Sequence, residues 1–292
     1  MGDGDVIDSD ESTWDTDAQV ARLRASAGAA LDPLFRNDAQ ACRRFLRARR
    51  GDAAQAATLL LEHQEWRRLE TPRWPAAQVD EGLVRGDVAS GKGFVHGRDR
   101  RGHPLGWIRV SLHDAAEPRE EVANFTAFLL DELVARAEAS SPDDPRFSIV
   151  IDFAEFSRSN FDSGTALALL RTLRANYPER LARLYIINNG LLFWALWKVI
   201  EVFLDERSAR KVSILGGDYL AALREDVDDA EIQSWAGGSS AYEYDPGHVA
   251  ASASGESPNV YISLTAAGPT GGRAVELKEG EASAFPRVGA KG

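Results

Sequence analysis

Asn-Tyr-Pro-Glu-Arg-Leu-Ala-Arg-Leu-Tyr-Ile-Ile-Asn-Asn-Gly, residues 176–190, runs into Leu-Leu-Phe-Trp-Ala-Leu-Trp-Lys-Val-Ile-Glu-Val-Phe-Leu-Asp-Glu-Arg-Ser-Ala-Arg-Lys-Val-Ser-Ile-Leu, residues 191–215. Pro178 has no N–H and pushes Tyr177 out of the α region, so a helix ends here and Leu184–Ile187 reads as a short buried strand. Lys211–Leu215 reads as a second strand. Between them Phe193, Trp197, Ile200 and Leu204 recur at helical spacing, with Lys198, Glu201 and Asp205 as a narrow polar stripe. The pattern is β, α, β with an unusually apolar helix. Spacing alone favours an ordinary buried helix.

Four words recur here in one order: Tyr177-Pro178-Glu179-Arg180, Tyr185-Ile186-Ile187-Asn188, Phe203-Leu204-Asp205 and Lys211-Val212-Ser213-Ile214-Leu215. Far upstream stand Phe45-Leu46-Arg47-Ala48-Arg49 and Trp66-Arg67. Together they resemble the CRAL-TRIO lipid-binding family. The resemblance implies an α/β fold in which a mostly parallel sheet floors a hydrophobic cavity. A gate helix, here Leu191–Leu204, closes the cavity, and a small helical subdomain precedes the sheet. The chain then divides into an acidic disordered tail (1–19), the helical subdomain (20–78), the lipid-binding domain (79–246) and a low-complexity tail (247–292). Two alternating patches in that tail, Asn259–Leu264 and Arg273–Leu277, suggest a partial strand pair like the opening of a GOLD sandwich, too short to complete one.

Composition fits a globular protein. The chain has 292 residues, enough for about two domains, and a hydrophobic content of 44% supplies a core. No window offers the 18 or so uninterrupted apolar residues of a membrane span, because Asn188, Asn189, Lys198 and Glu201 break the best candidate. The acidic N-terminus lacks the apolar region of a secretory signal. A single cysteine, Cys42, excludes an internal disulfide and fits a reducing compartment, so a cytoplasmic protein is expected, and the resemblance implies a monomer that meets membranes transiently.

The net charge of −11 is uneven, since residues 1–17 hold seven acids and no base and read as a solvated run. Asp3, Asp5, Asp8 and Asp10 lack the glycine and closing glutamate of a calcium loop. Five arginines between Arg43 and Arg50 form a basic face. Without interleaved aromatics in an acidic chain, that face argues against nucleic acid. Gly93–Leu112 reads as a hairpin turning at Arg100-Arg101-Gly102. A helix from Glu120 to Ala139, a strand Phe147–Ile151 ending at Asp152, and a helix Thr165–Asn176 follow.

No nucleophile elbow, phosphate loop, dinucleotide glycine spacing or metal-ligand cluster is present, and the five histidines are scattered. A non-enzymatic protein without metal or cofactor is expected. In phosphatidylinositol-binding members of the resembled family, four positions hold the inositol phosphate. They correspond to Arg49, Glu179, Ser208 and Lys211. A phosphodiester entering an apolar cavity needs cationic and hydroxyl donors, which Lys211 and Ser208 supply, while Glu179 orients Lys211 or accepts from inositol hydroxyls. A plain Glu179–Lys211 salt bridge is the blander alternative. Phe193, Trp197, Ile200 and Phe203 are the expected gate and cavity-lining residues.

The resemblance departs at the second-ligand site, where Phe147, Ile149 and Gly106-Trp107 replace hydroxyl residues and a tyrosine. Phosphatidylcholine is therefore not expected there. The expected function is binding one phosphatidylinositol and moving it between membranes or presenting it to a lipid kinase. The alternatives are a carrier of another hydrophobe, such as a sterol, tocopherol or retinoid-like ligand, and a lipid-sensing adaptor module.

Overall fold

A computed structural model describes residues 11–69 and 81–245. The expectations for residues 1–10, the subdomain boundary at 78/79 and the tail after residue 246 lie outside the described residues.

Four helices come first, α1 (Asp17–Ala27), α2 (Pro33–Asn37), α3 (Ala39–Ala48) and α4 (Ala53–Leu69). Their starts are written locally. Thr16, Asp32 and Asp38 each accept a backbone N–H two or three residues on, which satisfies donors that a first helical turn leaves open. Val20, Leu23, Leu31, Cys42, Phe45, Leu46 and Leu60 close a separate small core.

After α5 (Glu81–Ser90), β1 (Gly93–Arg98) and β2 (Pro104–Arg109) form the expected hairpin. Then come α6 (Arg119–Ser140), β3 (Phe147–Asp152), α7 (Ser163–Asn176), β4 (Leu181–Ile187), α8 (Leu191–Ile200), α9 (Glu206–Ala209), β5 (Val212–Ile214) and α10 (Tyr219–Asp226). The sheet order is β1-β2-β3-β4-β5, antiparallel only at β1/β2. Because every parallel step moves in one direction and such crossovers are right-handed, α6, α7 and α8 must lie on the same face. The opposite face, carrying Phe94, Leu105, Trp107, Val150, Tyr185 and Ile187, is sealed by Leu223, Val227 and Ile232.

The helices do not cover their face evenly. α6 packs directly on β1, β2 and β3, whereas α7 and α8 pack chiefly on each other and on neighbouring helices. Beneath α8 only Phe153, Ile186, Phe193 and Leu196 are fully buried, while Ile151, Leu184, Val212 and Ile214 on the strands stay half-buried. Interiors normally pack to crystal density, so accessible aliphatic side chains on this sheet face show that α8 covers it incompletely.

Two expectations need correction. The acidic run does not stay solvated through residue 19: from Glu11 it folds, with a 3-10 turn at Glu11–Thr13 and α1 starting at Asp17. Arg47 pairs with Asp15 at 2.8 Å and Arg43 with Asp17 at 2.6 Å, so the basic face of α3 neutralises it. The gate helix is also shorter than expected. It ends at Ile200, a 3-10 turn spans Glu201–Phe203, and Leu204 is extended.

Candidate functional site

Tyr177-Pro178-Glu179-Arg180 is a turn whose side chains part. Tyr177 donates to Asp131 at 2.8 Å, and Arg67 donates two bonds to the same carboxylate, at 2.7 and 2.8 Å. The Arg67 guanidinium lies over the rings of both Trp66 and Tyr177. Trp66-Arg67 and Tyr177, 110 residues apart, are thus two halves of one buried joint between α4, α6 and α7. Arg180 bonds the Pro145 carbonyl and Glu138 on the same side. Glu179 between them has φ of 57°, a left-handed conformation that a non-glycine residue rarely adopts. It aims its carboxylate elsewhere.

That carboxylate meets two cations on one oxygen. Arg207 lies 3.1 Å and Lys211 3.8 Å from Glu179 Oε2. Burial pulls the Lys211 pKa down from the usual lysine value, with Arg207 adding to the effect against Glu179. Ser208, one turn before Lys211, is half-buried; Asp205 caps α9 by accepting from its backbone N–H at 2.8 Å. Burial would raise the Asp205 pKa, but the Ser208 hydrogen bonds hold it low. Glu179, Ser208 and Lys211 therefore assemble at the strand starts of β4 and β5.

Arg49 sits apart, at the end of α3. Its guanidinium donates to the Ala48 carbonyl at 3.0 Å, and among the described residues it makes no ion pair with Glu179. Trp14 links the two regions. It packs on Gly51, where an added Cβ would stand 3.0 Å from the Trp14 backbone and where φ of 82° also requires glycine. The Trp14 ring also lies 5.7 Å from the Arg207 guanidinium. Sequence reasoning missed Arg207, Trp14 and Glu11. The available signal was Trp14 itself, a large aromatic that a solvated acidic run has no reason to contain.

The gate residues divide. Phe193 is buried, and Trp197 and Ile200 are half-buried beside it, with the Trp197 ring stacked 5.9 Å from Phe193. Phe203 is 40% exposed and outside that cluster. Even an unbroken helix would put it about 80° off the Phe193 face. The outer surface of this segment is instead Leu191, Trp194, Val202 and Phe203. At the start of α8 a cleft of about 250 Å³ is lined by Phe153, Ala154, Glu155, Phe156, Asn188 and residues 190–193. Asn188 there donates to Asp152 at 2.8 Å, which gives Asp152 a bracing role.

A family model for the CRAL/TRIO domain matches residues 89–238, just over half of the chain. The chain belongs to the CRAL/TRIO domain family. Among curated relatives, this CRAL/TRIO protein is 28% identical over 212 residues to the phosphatidylinositol transfer protein CSR1 of Eremothecium gossypii, covering 69% of this chain and 47% of that protein. It is 26% identical over 214 residues to the phosphatidylinositol/phosphatidylcholine transfer protein SFH12 of Arabidopsis thaliana, covering 67% and 38%. The chain thus spans less than half the length of these relatives. The crystal structure of Sfh5 superposes with a TM-score of 0.54 at 15% identity, covering 72% of this chain and 81% of that one, which shows the shared fold.

Close packing surrounds the positions where the resemblance departs. Phe147 is fully buried and Ile149 nearly so, and a Cβ on Gly106 would approach Leu133 to 2.9 Å. Trp107 points to the opposite sheet face, donating to the His96 carbonyl at 3.0 Å. Phe147, Ile149 and Leu133 belong to one buried cluster between α6 and the sheet.

Proposed function

We propose that the chain binds a single phosphatidylinositol beneath α8 and moves it between membranes or presents it to a lipid kinase. One juxtaposition carries this reading. The cations on Glu179 stand at the starts of β4 and β5, the two strands whose apolar Leu184, Val212 and Ile214 lie only half-buried in the cluster beneath α8. A diacyl lipid needs both halves, because a phosphodiester without donors is costly to bury and its chains gain only from apolar contact. Lys211 and Ser208 supply donors to the phosphate, Glu179 orients Lys211 and accepts from inositol hydroxyls, and Arg49 adds positive potential from α3. Binding and transfer involve no covalent step. The names of the relatives support the ligand class. α8 acts as the lid: Gly190 before it has φ of −95° and open space around an added Cβ, so this conformation does not itself demand glycine.

The test is lipid extraction from vesicles read by mass spectrometry. Wild type should carry phosphatidylinositol and little phosphatidylcholine, since Phe147, Ile149 and Leu133 fill the place of a second ligand. Lys211→Ala with Arg49→Ala should lower phosphatidylinositol loading by about tenfold or more, the worth of a charged hydrogen bond, with the fold intact. Equal loading by the double variant and the wild type would refute the site; a different hydrophobe as the main extracted species would refute the ligand.

A further inference from the structure

Arg207 in the cation cluster carries a second internal acid besides Glu179. Arg207 bonds Glu179 and also lies 3.5 Å from Glu11 Oε2. Its guanidinium is further held against the Trp14 ring. Glu11–Thr13 is a three-residue 3-10 turn with no buried residue, so it is held down by its polar contacts and Trp14 and not by a core of its own. A half-exposed pair of this kind is weak and exchangeable.

We propose that Glu11 is a stand-in for a second phosphate. Arg207, backed by Trp14 and Glu179, forms a subsite for a phosphomonoester on the inositol ring, and residues 11–15 form a strap that such a lipid displaces. The ligand class is a phosphatidylinositol monophosphate presented in a membrane. This rests on the phosphatidylinositol reading above and extends it. Geometry favours a phosphate over a neutral hydroxyl: guanidinium matches phosphate with two parallel donors, and the group it now holds is already an anion. Lys211 and Arg207 converge on the same Glu179 oxygen, so the diester and monoester positions are neighbours.

The experiment measures extraction from vesicles containing equal amounts of phosphatidylinositol and a phosphatidylinositol monophosphate, expressed as the ratio of the two lipids bound. Glu11→Gln, which removes one of the two carboxylates on Arg207, should raise the monophosphate share roughly two- to five-fold, the worth of one exposed ion pair. Arg207→Ala should lower it by about tenfold, and Arg207→Gln should act similarly. In the Arg207→Ala background Glu11→Gln should have no further effect, because both act through one contact. If phosphatidylinositol is extracted but neither variant moves the ratio by as much as about two-fold, the smallest expected effect, the subsite is wrong and the parent reading stands. A wild type that extracts no inositol lipid overturns both. If the deacylated headgroup in solution binds as tightly as the vesicle lipid, the subsite belongs to a soluble ester and the membrane-lipid assignment is overturned.

Discussion

Replacing Leu191 and Trp194 together by aspartate should abolish productive membrane contact while leaving the fold nearly untouched. Leu191 is 93% and Trp194 44% exposed, so together they present nearly one and a half side chains of apolar surface to water. At about 1.5–3 kcal/mol per fully transferred side chain, a membrane that takes up this surface gains about 2–4 kcal/mol from the two residues. Losing it weakens partitioning by roughly 30- to 1000-fold. Stability should change little, because exposed substitutions away from special features typically cost under about 0.5 kcal/mol and an aspartate at the first position of α8 suits the positive end of the helix dipole. The assay is co-flotation with liposomes alongside a melting curve. Trp197→Asp supplies the contrast: half-buried against Phe193, it should lower the melting temperature, which makes it a poorer membrane probe than its position in the sequence suggested. Wild-type flotation by the Leu191/Trp194 double variant would refute the outer face of α8 as the docking surface.

Two further outcomes concern the frame that holds the site. Arg67→Ala should cost about 3–5 kcal/mol by leaving Asp131, 6% exposed, charged and without its bidentate partner; denaturant unfolding checks this, and a loss below about 1 kcal/mol would show that the joint at Tyr177 does not depend on the pair. The other is a pH effect at His103, which sits between Asp99 at 2.9 Å and Asp144 at 3.0 Å. Burial depresses its pKa, but the two carboxylates outweigh burial and raise it above 6.5. A raised folded pKa gives stability that is complete below the unfolded value of about 6.5 and is lost as pH climbs through the folded value. Melting temperature should therefore decline from neutral toward alkaline pH in wild type, by the equivalent of about 1–3 kcal/mol, and stay flat over that window in His103→Gln.

The fold was legible where local covalent chemistry and apolar period act together. Pro178 ended α7 near the expected residue, and the apolar run after Gly190 formed a helix over a parallel sheet. Glu179 and Lys211 were recognisable because their sequence words carry them to one sheet edge. What was not legible depends on contacts without period. Arg207 meets Glu11 across 196 residues and Glu179 across 28, and no spacing rule anticipates either pair. The left-handed backbone at Glu179 likewise has no signature in the sequence, although it decides which way the carboxylate points. The end of α8 at Ile200 was hidden because Glu201–Phe203 continue a helical composition, while Arg174 takes the Phe203 carbonyl and Asp205 starts the next cap.

The placement of the polar site also argues for carriage. Open α/β sheets usually hold ligands at the carboxyl ends of the parallel strands. At that end of this molecule Asp152 is tied to Asn188 and to the Ala154 N–H, and α8 begins over it. The cation cluster lies at the opposite end, where Glu179 precedes β4 and Lys211 precedes β5. A headgroup held there has the length of β4 ahead of it. Seven residues at about 3.3 Å each give about 23 Å, longer than the roughly 15 Å depth of one leaflet of a bilayer's hydrocarbon core. Half-buried Leu184, Val212 and Ile214 line this path, and α8 runs back above it to the strand starts. Acyl chains laid along the sheet would thus be covered by α8, a helix that touches the strands sparsely. Lifting that helix from its Gly190 end would uncover the chains while the headgroup remained held at the other end.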